Sequence, residues 1–258
     1  VSLSFKSLTI YHQVRFAKMR EYSIGKRLTE RYLNQPYIWF VGRHSADLAK
    51  TILTEVHTVV NGVITPIIEL ITKILIASSI LFLLILTDVK LALIIGLTFG
   101  LFYGIILKLN NKFLRRIGQD RLDANKDRFT NISDAFGAAK EIKVGGLEQN
   151  YVEKFSNAAL IFAKRLATYK TLTQLPRYGI EALAFGGLLS VILYLMHSDG
   201  EFISVLPILS LYAFAGYRLL PALQVIYACI SQLRFNISAL ENLVFDFKNL
   251  KEYSLKKN

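Results

Sequence analysis

Cysteine is nearly absent from this chain: Cys229 is the only one in 258 residues. An intrachain disulfide is therefore impossible and a cysteine-based metal site is not expected. The lone thiol is expected to act as a small apolar residue in a helix. Charge is also sparse, at 19% of residues, against about 25% in soluble domains. Acidic residues are the scarcer sign, 19 against 31 Lys and Arg, which leaves a net charge of +12. The four histidines, His12, His44, His57 and His197, show no metal-ligand spacing. No Ser-His-Asp arrangement or pair of carboxylates stands out, so nothing points to a hydrolase or a metalloenzyme. No G-x-x-x-x-G-K-[ST] phosphate loop occurs, which excludes ATP hydrolysis by this chain. No basic segment, short apolar run and cleavage site open the sequence, so no signal peptide is visible.

What the chain has in abundance is apolar sequence: 53% hydrophobic residues and a mean hydropathy of +0.38. It comes in blocks. Four reach the length of about 20 residues that a spanning helix needs: Val59 to Leu86, Leu91 to Leu107, Tyr178 to Met196 and Phe202 to Ile230. A soluble protein this basic would point to nucleic acid. With these apolar blocks, the charge reads instead as positive-inside topology, and no nucleic-acid partner is expected.

The segments between blocks set the orientation. Thr87–Lys90 and His197–Glu201 are short and hold one basic residue, Lys90. The stretch from Lys108 to Arg177 holds fourteen, and the stretch up to Thr58 holds nine. The basic regions are expected in the cytoplasm and the short links outside.

The long basic stretch is patterned. Phe129, Ile132, Phe136, Ala139 and Ile142 fall at helical spacing, as do Tyr151, Phe155, Ala158, Phe162, Leu166 and Tyr169. Gly145-Gly146 lies between the two runs and is a natural break. Two long helices are expected to leave the membrane and meet there. The opening shows the same plan: helix from Val1 to Leu33, a break at Asn34-Gln35-Pro36-Tyr37, and helix again from Ser45. The tail from Ser231 to about Asn249 continues the last helix.

This arrangement resembles the transmembrane domain of an ABC exporter. Two local runs carry the resemblance. Arg31-Tyr32-Leu33-Asn34-Gln35-Pro36-Tyr37-Ile38-Trp39-Phe40 is similar to the family's first coupling region. Glu141-Ile142-Lys143-Val144-Gly145-Gly146-Leu147-Glu148, with Glu153-Lys154-Phe155, is similar to its second. The resemblance implies an all-α membrane protein with long cytoplasmic helical extensions. It implies that residues 1–249 hold part of helix two and then helices three to six. Residues 250–258 would lead toward an ATPase domain outside this chain. ATP and Mg would sit on that domain, and none would be bound here. Partners would be a second transmembrane subunit, forming a homodimer, together with nucleotide-binding domains and a lipid or lipid-linked substrate. The location implied is a bacterial-type inner membrane. Pro36, Tyr37, Trp39, Phe40, Leu147, Glu148 and Tyr151 would dock on the ATPase. Tyr217-Arg218-Leu219-Leu220-Pro221, with Gln35-Pro36-Tyr37, looks like the branch that flips lipid-linked oligosaccharides.

Few side chains stand out as cargo contacts. Arg218 lies inside the last apolar block, where a charge costs about 2.5–3.5 kcal/mol on insertion scales. It should face a cavity or a partner, either to grip a phosphate with parallel hydrogen bonds or to pair with an acidic neighbour. Tyr217 sits beside it. Glu69 and Lys73 stand four apart in the first block, in the favourable order for a helical pair; a self-neutralising pair and a phosphate site are both open. Glu181 is expected to pair with Arg177. Pro66 and Pro221 should favour kinks, and Gly186-Gly187 should allow close helix packing. A peptide or drug exporter of the same architecture is the nearest rival reading. A receptor or scaffold that transports nothing is the next.

Overall fold

A computed structural model describes residues 2–87, 89–197 and 202–250. Two of the expected external links, at Asp88 and at Ser198–Glu201, lie outside the described residues, as does the stretch 251–258. Among the described residues every regular element is helical: α1 (Ser2–Leu33), α2 (Tyr37–Phe40), α3 (Ser45–Lys50), α4 (Val56–Val59), α5 (Thr65–Thr87), α6 (Val89–Gly137), α7 (Ala139–Gly145), α8 (Glu148–His197) and α9 (Phe202–Asn249). From Ser45 to Thr87 the helix is continuous, with two π-wound stretches, Thr51–Glu55 and Val60–Ile64. All four apolar blocks fall within helices, and the last runs on to Asn249 as its sequence implies.

The helix boundaries follow local chemistry. α1 ends before Asn34-Gln35-Pro36, and Pro36 takes an extended backbone. The break is shorter than expected, because Tyr37 already begins α2. α7 ends at Gly145, and Gly146 adopts a left-handed φ of 63° that glycine reaches without a Cβ clash. The amides of Gly146 and Leu147 both donate to the Ile142 carbonyl, closing the helix end. The expected single helix before this turn is interrupted once, at Ala138. Gly137, a weak helix former, immediately precedes that interruption. The second π-wound stretch ends two residues before Pro66. Proline has no N–H to close the turn behind it, so the carbonyls there need another partner, and wider winding supplies one.

The chain divides into two compact units. One comprises Val1–Pro66, Phe113–Tyr169 and Gln232–Asn258; the other comprises Ile67–Lys112 and Lys170–Ser231. The first has an ordinary apolar core of Leu28, Tyr32, Val56, Val59, Leu122, Ala239 and Leu243, drawn from α1, α4, α6 and α9. Tyr32 Oη donates to Asp246 Oδ2 at 2.8 Å and Arg31 Nη1 donates to the Phe247 carbonyl at 2.8 Å, tying α1 to α9. Two glycines set how closely helices approach here. A Cβ on Gly118 would lie 2.0 Å from the Phe235 carbonyl oxygen, and one on Gly62 would lie 2.6 Å from the Asn236 side chain.

The second unit is packed in the opposite sense. Small residues mediate the α5–α9 contact: Ala77 against Leu219 and Ala222, and Leu84 against Ala215. Close approach through small side chains is how helices associate in lipid, where apolar burial gives no net drive. Tyr103, Ile180 and Tyr227 form a further cluster of α6, α8 and α9, and Tyr227 Oη donates to the Leu172 carbonyl at 3.2 Å. The outward surface is apolar. Leu93, Leu97, Leu101 and Ile105 repeat every four residues on α6, and all four are exposed. The helices Ser45–Thr87 and Ala213–Asn249 are long and apolar enough to cross a membrane, yet only 11% and 28% of their most apolar stretches are buried. A core helix of a soluble protein would be buried; these present their apolar surface outward. The hydroxyls of Thr72, Ser79 and Thr87 donate back to carbonyls four residues earlier, so these three donors are met within α5.

A Cβ on Gly186 would meet nothing within 4 Å among the described residues, and the side-chain surroundings of Gly187 lie outside them; Gly118 and Gly62 make the closest helix approaches among the described glycines. We therefore expect Gly118→Ala to cost at least about 3 kcal/mol, since backbone rather than a mobile side chain blocks the methyl. Gly25→Ala, which meets open space on α1, should be neutral or stabilising by up to about 1 kcal/mol. Thermal unfolding in detergent reads both.

Candidate functional site

In the second unit, α9 turns Ala215, Leu219 and Ala222 toward α5. That places Phe214 and Arg218, one turn apart, on the edge of the contact. With Leu75, Ile76, Ser79 and Ile80 of α5 they line a groove of about 410 Å³. The Arg218 guanidinium lies 5.8 Å from the Phe214 ring centroid, a cation–π contact that offsets part of its desolvation. Among the described residues no carboxylate lies within ion-pair distance of it. It is the one charged residue among the six that line the groove.

The other expected cargo contacts do not converge there. Tyr217 is 76% exposed and does not line the groove. Glu69 and Lys73 form no ion pair among the described residues; instead the Cys229 thiol donates to Glu69 Oε2 at 3.8 Å. Cys229 is buried and stands eleven residues beyond Arg218 on α9, about 17 Å along the helix. Glu69 and Lys73 thus mark a second polar point on the α5–α9 seam, apart from the groove. Arg177 Nε donates to Glu181 Oε1 at 2.7 Å, the pairing expected of them.

The two turns in the first unit separate the expected docking residues. At the first, Tyr37 is 84% and Ile38 74% exposed, and Pro36 and Val41 are exposed as well. Trp39 and Phe40 are half-buried. Trp39 lies 5.4 Å from the Tyr32 ring, packs on the apolar core, and carries Arg43 4.0 Å above its face. A four-residue helix cannot present all its side chains to one side, so its aromatic pair anchors it while Tyr37 and Ile38 stay outward. At the second turn, Val144 and Leu147 are exposed. Glu148 Oε1 pairs with Lys143 Nζ at 3.0 Å. A hydrogen bond from its own backbone amide at the start of α8, and then Lys143, hold the Glu148 carboxyl below its usual range. Tyr151 lies under Lys154, 5.2 Å from ring centroid to Nζ.

One constellation in the first unit was not singled out by the sequence reading. Glu55, Arg121 and Asn125 are buried together, and Asn125 Nδ2 donates to Glu55 Oε1 at 3.4 Å. Burial weakens the hold of the Arg121 guanidinium on its proton, while the Glu55 charge strengthens it. A signal existed: Arg121 and Asn125 continue, at four-residue spacing, the face on which Leu114 and Ile117 are buried.

These features form a helical membrane unit with an apolar, arginine-bearing groove and a separately packed unit ending in two exposed apolar turns. The family described as ABC transporter transmembrane region matches residues 4–217, most of the chain. The chain belongs to that family. It is an integral membrane protein, and both turns and three of the four apolar blocks lie within the matched stretch. The matched stretch ends one residue before Arg218.

The contrast at the first turn of this ABC transporter transmembrane region is testable. Trp39→Ala should destabilise the chain by about 2–3 kcal/mol, below the full cost of a buried Trp because the residue is only half-buried. Tyr37→Ala and Ile38→Ala should stay within about 0.5 kcal/mol. Thermal unfolding of the three variants checks this.

Proposed function

We propose that this chain is the membrane-spanning part of an ATP-driven exporter or flippase whose cargo is an anionic amphipathic lipid, such as an oligosaccharide on a pyrophosphate-linked carrier. The observation that carries the cargo reading is Arg218. A guanidinium at the rim of an otherwise apolar groove fits a molecule with a phosphate and a hydrocarbon chain. A phosphate can accept two parallel hydrogen bonds from it, while Leu75, Ile76, Ile80 and Phe214 offer surface to the chain. Ser79, also in the lining, can donate only a single neutral hydrogen bond. Glu69 and Lys73 would act at a second point of the same seam.

Residues 1–249 act in this reading as the transmembrane domain, and 250–258 lead toward an ATPase. The chain has no phosphate loop, so ATP and its Mg ion belong to nucleotide-binding domains that dock on the two turns. Tyr37, Ile38 and Val41 at one turn, and Val144 and Leu147 at the other, are the exposed apolar residues that fit such a contact. Trp39 supports that surface from behind. The basic stretches favour a cytoplasmic position for both turns, and in this reading the membrane is a bacterial-type inner membrane. Two copies pair to enclose the pathway, and ATP binding drives the turns together and opens the pathway outward.

The test uses the transporter with its ATPase, reconstituted in vesicles. A polyprenyl-pyrophosphate oligosaccharide should stimulate ATP hydrolysis. Arg218→Ala should weaken the apparent affinity for that lipid by about 10–100-fold, the value of a lost charge-assisted hydrogen bond, and leave unstimulated hydrolysis intact. Unchanged affinity would remove the phosphate from the reading. A peptide or drug of mainly apolar character, suited to the four apolar lining residues, would then take its place.

A further inference from the structure

The buried cluster around Arg121 is not used by the reading above. Arg121 is 6% exposed and Glu55 4%. Arg121 Nε and Nη2 and Glu55 Oε2 are all buried without a hydrogen-bond partner. Donors and acceptor therefore remain unmet in the same cluster. Within the cluster Asn125 donates to Glu55 Oε1 at 3.4 Å and accepts from Arg128 Nη1 at 3.3 Å, so a second guanidinium stands beside the same amide. The guanidinium lies 5.4 Å from the Phe235 ring, and Phe235 stacks on Tyr169 with centroids 4.1 Å apart. Backbone contact at Gly118 holds Phe235 close. The arginine side is thus fixed, and the glutamate side is where movement can occur.

Glu55 is the last residue of the π-wound stretch Thr51–Glu55, and a second π-wound stretch begins at Val60. A π-turn holds one residue more than the α-turn it replaces. When it migrates by one position, the residue it passes rotates by about 100° and shifts by about 1.5 Å, while the helix ends stay where they are. Such a step can swing the Glu55 carboxylate without moving the helices that hold Arg121 and Phe235.

We propose that Glu55 and Arg121 are a switchable interhelical ion pair, open in this structure, that closes when the adjoining π-turn shifts during the transport cycle. Leaving Glu55 Oε2 and Arg121 Nε and Nη2 buried without hydrogen bonds is costly. The open form is therefore high in energy, and closing the pair favours the other arrangement. Glu55 follows the first exposed turn in sequence and Arg121 precedes the second, and both belong to the unit that carries the turns. Load applied at either turn therefore enters a helix that bears one half of the pair. The closing step rests on the ATP-driven reading; the open pair does not.

Two measurements decide it. The first needs no nucleotide. In an open pair the buried guanidinium makes no direct contact with the Glu55 carboxylate, which offsets only part of its burial from a distance, so Arg121→Gln should leave Tm within about 2 °C or raise it. A larger fall, on the order of the 10 °C expected when a closed buried pair loses one partner, overturns the open pair. The second uses the transporter with its ATPase, trapped with ATP and vanadate. Trapping should raise Tm. Glu55→Gln and Arg121→Gln should each remove a large part of that rise, and the double variant should remove no more than either single one. Losses that add, or no loss, overturn the closing step. A parent transporter with no rise overturns the ATP-driven reading and the closing step together, and the nucleotide-free comparison still decides the open pair.

Discussion

In hydrocarbon a backbone amide or carbonyl has no water to bond, so each must find its partner within its own helix. This constraint accounts for the length of the helices here. α5, at 23 residues, spans about 34 Å, enough for the apolar core of a bilayer. α6, α8 and α9 run for 49, 50 and 48 residues. The same constraint explains why the hydroxyls of Thr72, Ser79 and Thr87 on α5 bond back to their own helix. It explains too why α5 and α9 meet through alanines: lipid is as apolar as a leucine, and only close packing favours protein contact over lipid contact.

The other unit follows the rules of water. Its core buries leucines, valines and a tyrosine, and ion pairs such as Arg115–Glu241 and Arg165–Asp120 decorate it. Exposed pairs of this kind contribute little to stability. The energetic weight lies with the apolar core, with the near-contact of backbone at Gly118, and with the polar atoms the core leaves unmet. Glu21 illustrates a balance at its surface. Burial opposes its ionisation, but bonds to Lys18 and His57 outweigh that and keep its carboxyl below the usual range. Through His57 it joins α1 to α4.

The two turns combine both environments. Each ends a helix by a residue that cannot or need not continue it, Pro36 in one case and Gly146 in the other. Each leaves exposed apolar side chains at the tip of an otherwise polar segment. Exposure of that kind is costly in water unless something covers it. The resemblance implied docking by Pro36, Tyr37, Trp39 and Phe40 at the first tip and by Leu147, Glu148 and Tyr151 at the second. Packing divides the first tip: Trp39 reaches the core beneath it, while Tyr37 and Ile38 stay outside, as Val144 and Leu147 do at the second.

By itself the sequence determined the helical class, the number of apolar blocks, the breaks at Pro36 and Gly145-Gly146, the Arg177–Glu181 pair and the helical tail to Asn249. Each depends on the order of residues along one helix, where spacing of three or four positions implies contact and glycine or proline acts locally. Tertiary structure decided what spacing cannot express. It separated Glu69 and Lys73 from the groove of Arg218, turned Tyr217 outward, packed Trp39 against the core, and brought backbone close at Gly118 and Gly62. It also gathered Glu55, Arg121 and Asn125 into one buried cluster. Glu55 and Arg121 lie 66 positions apart in the chain, and their proximity follows only from how α4, α6 and α9 pack around one core.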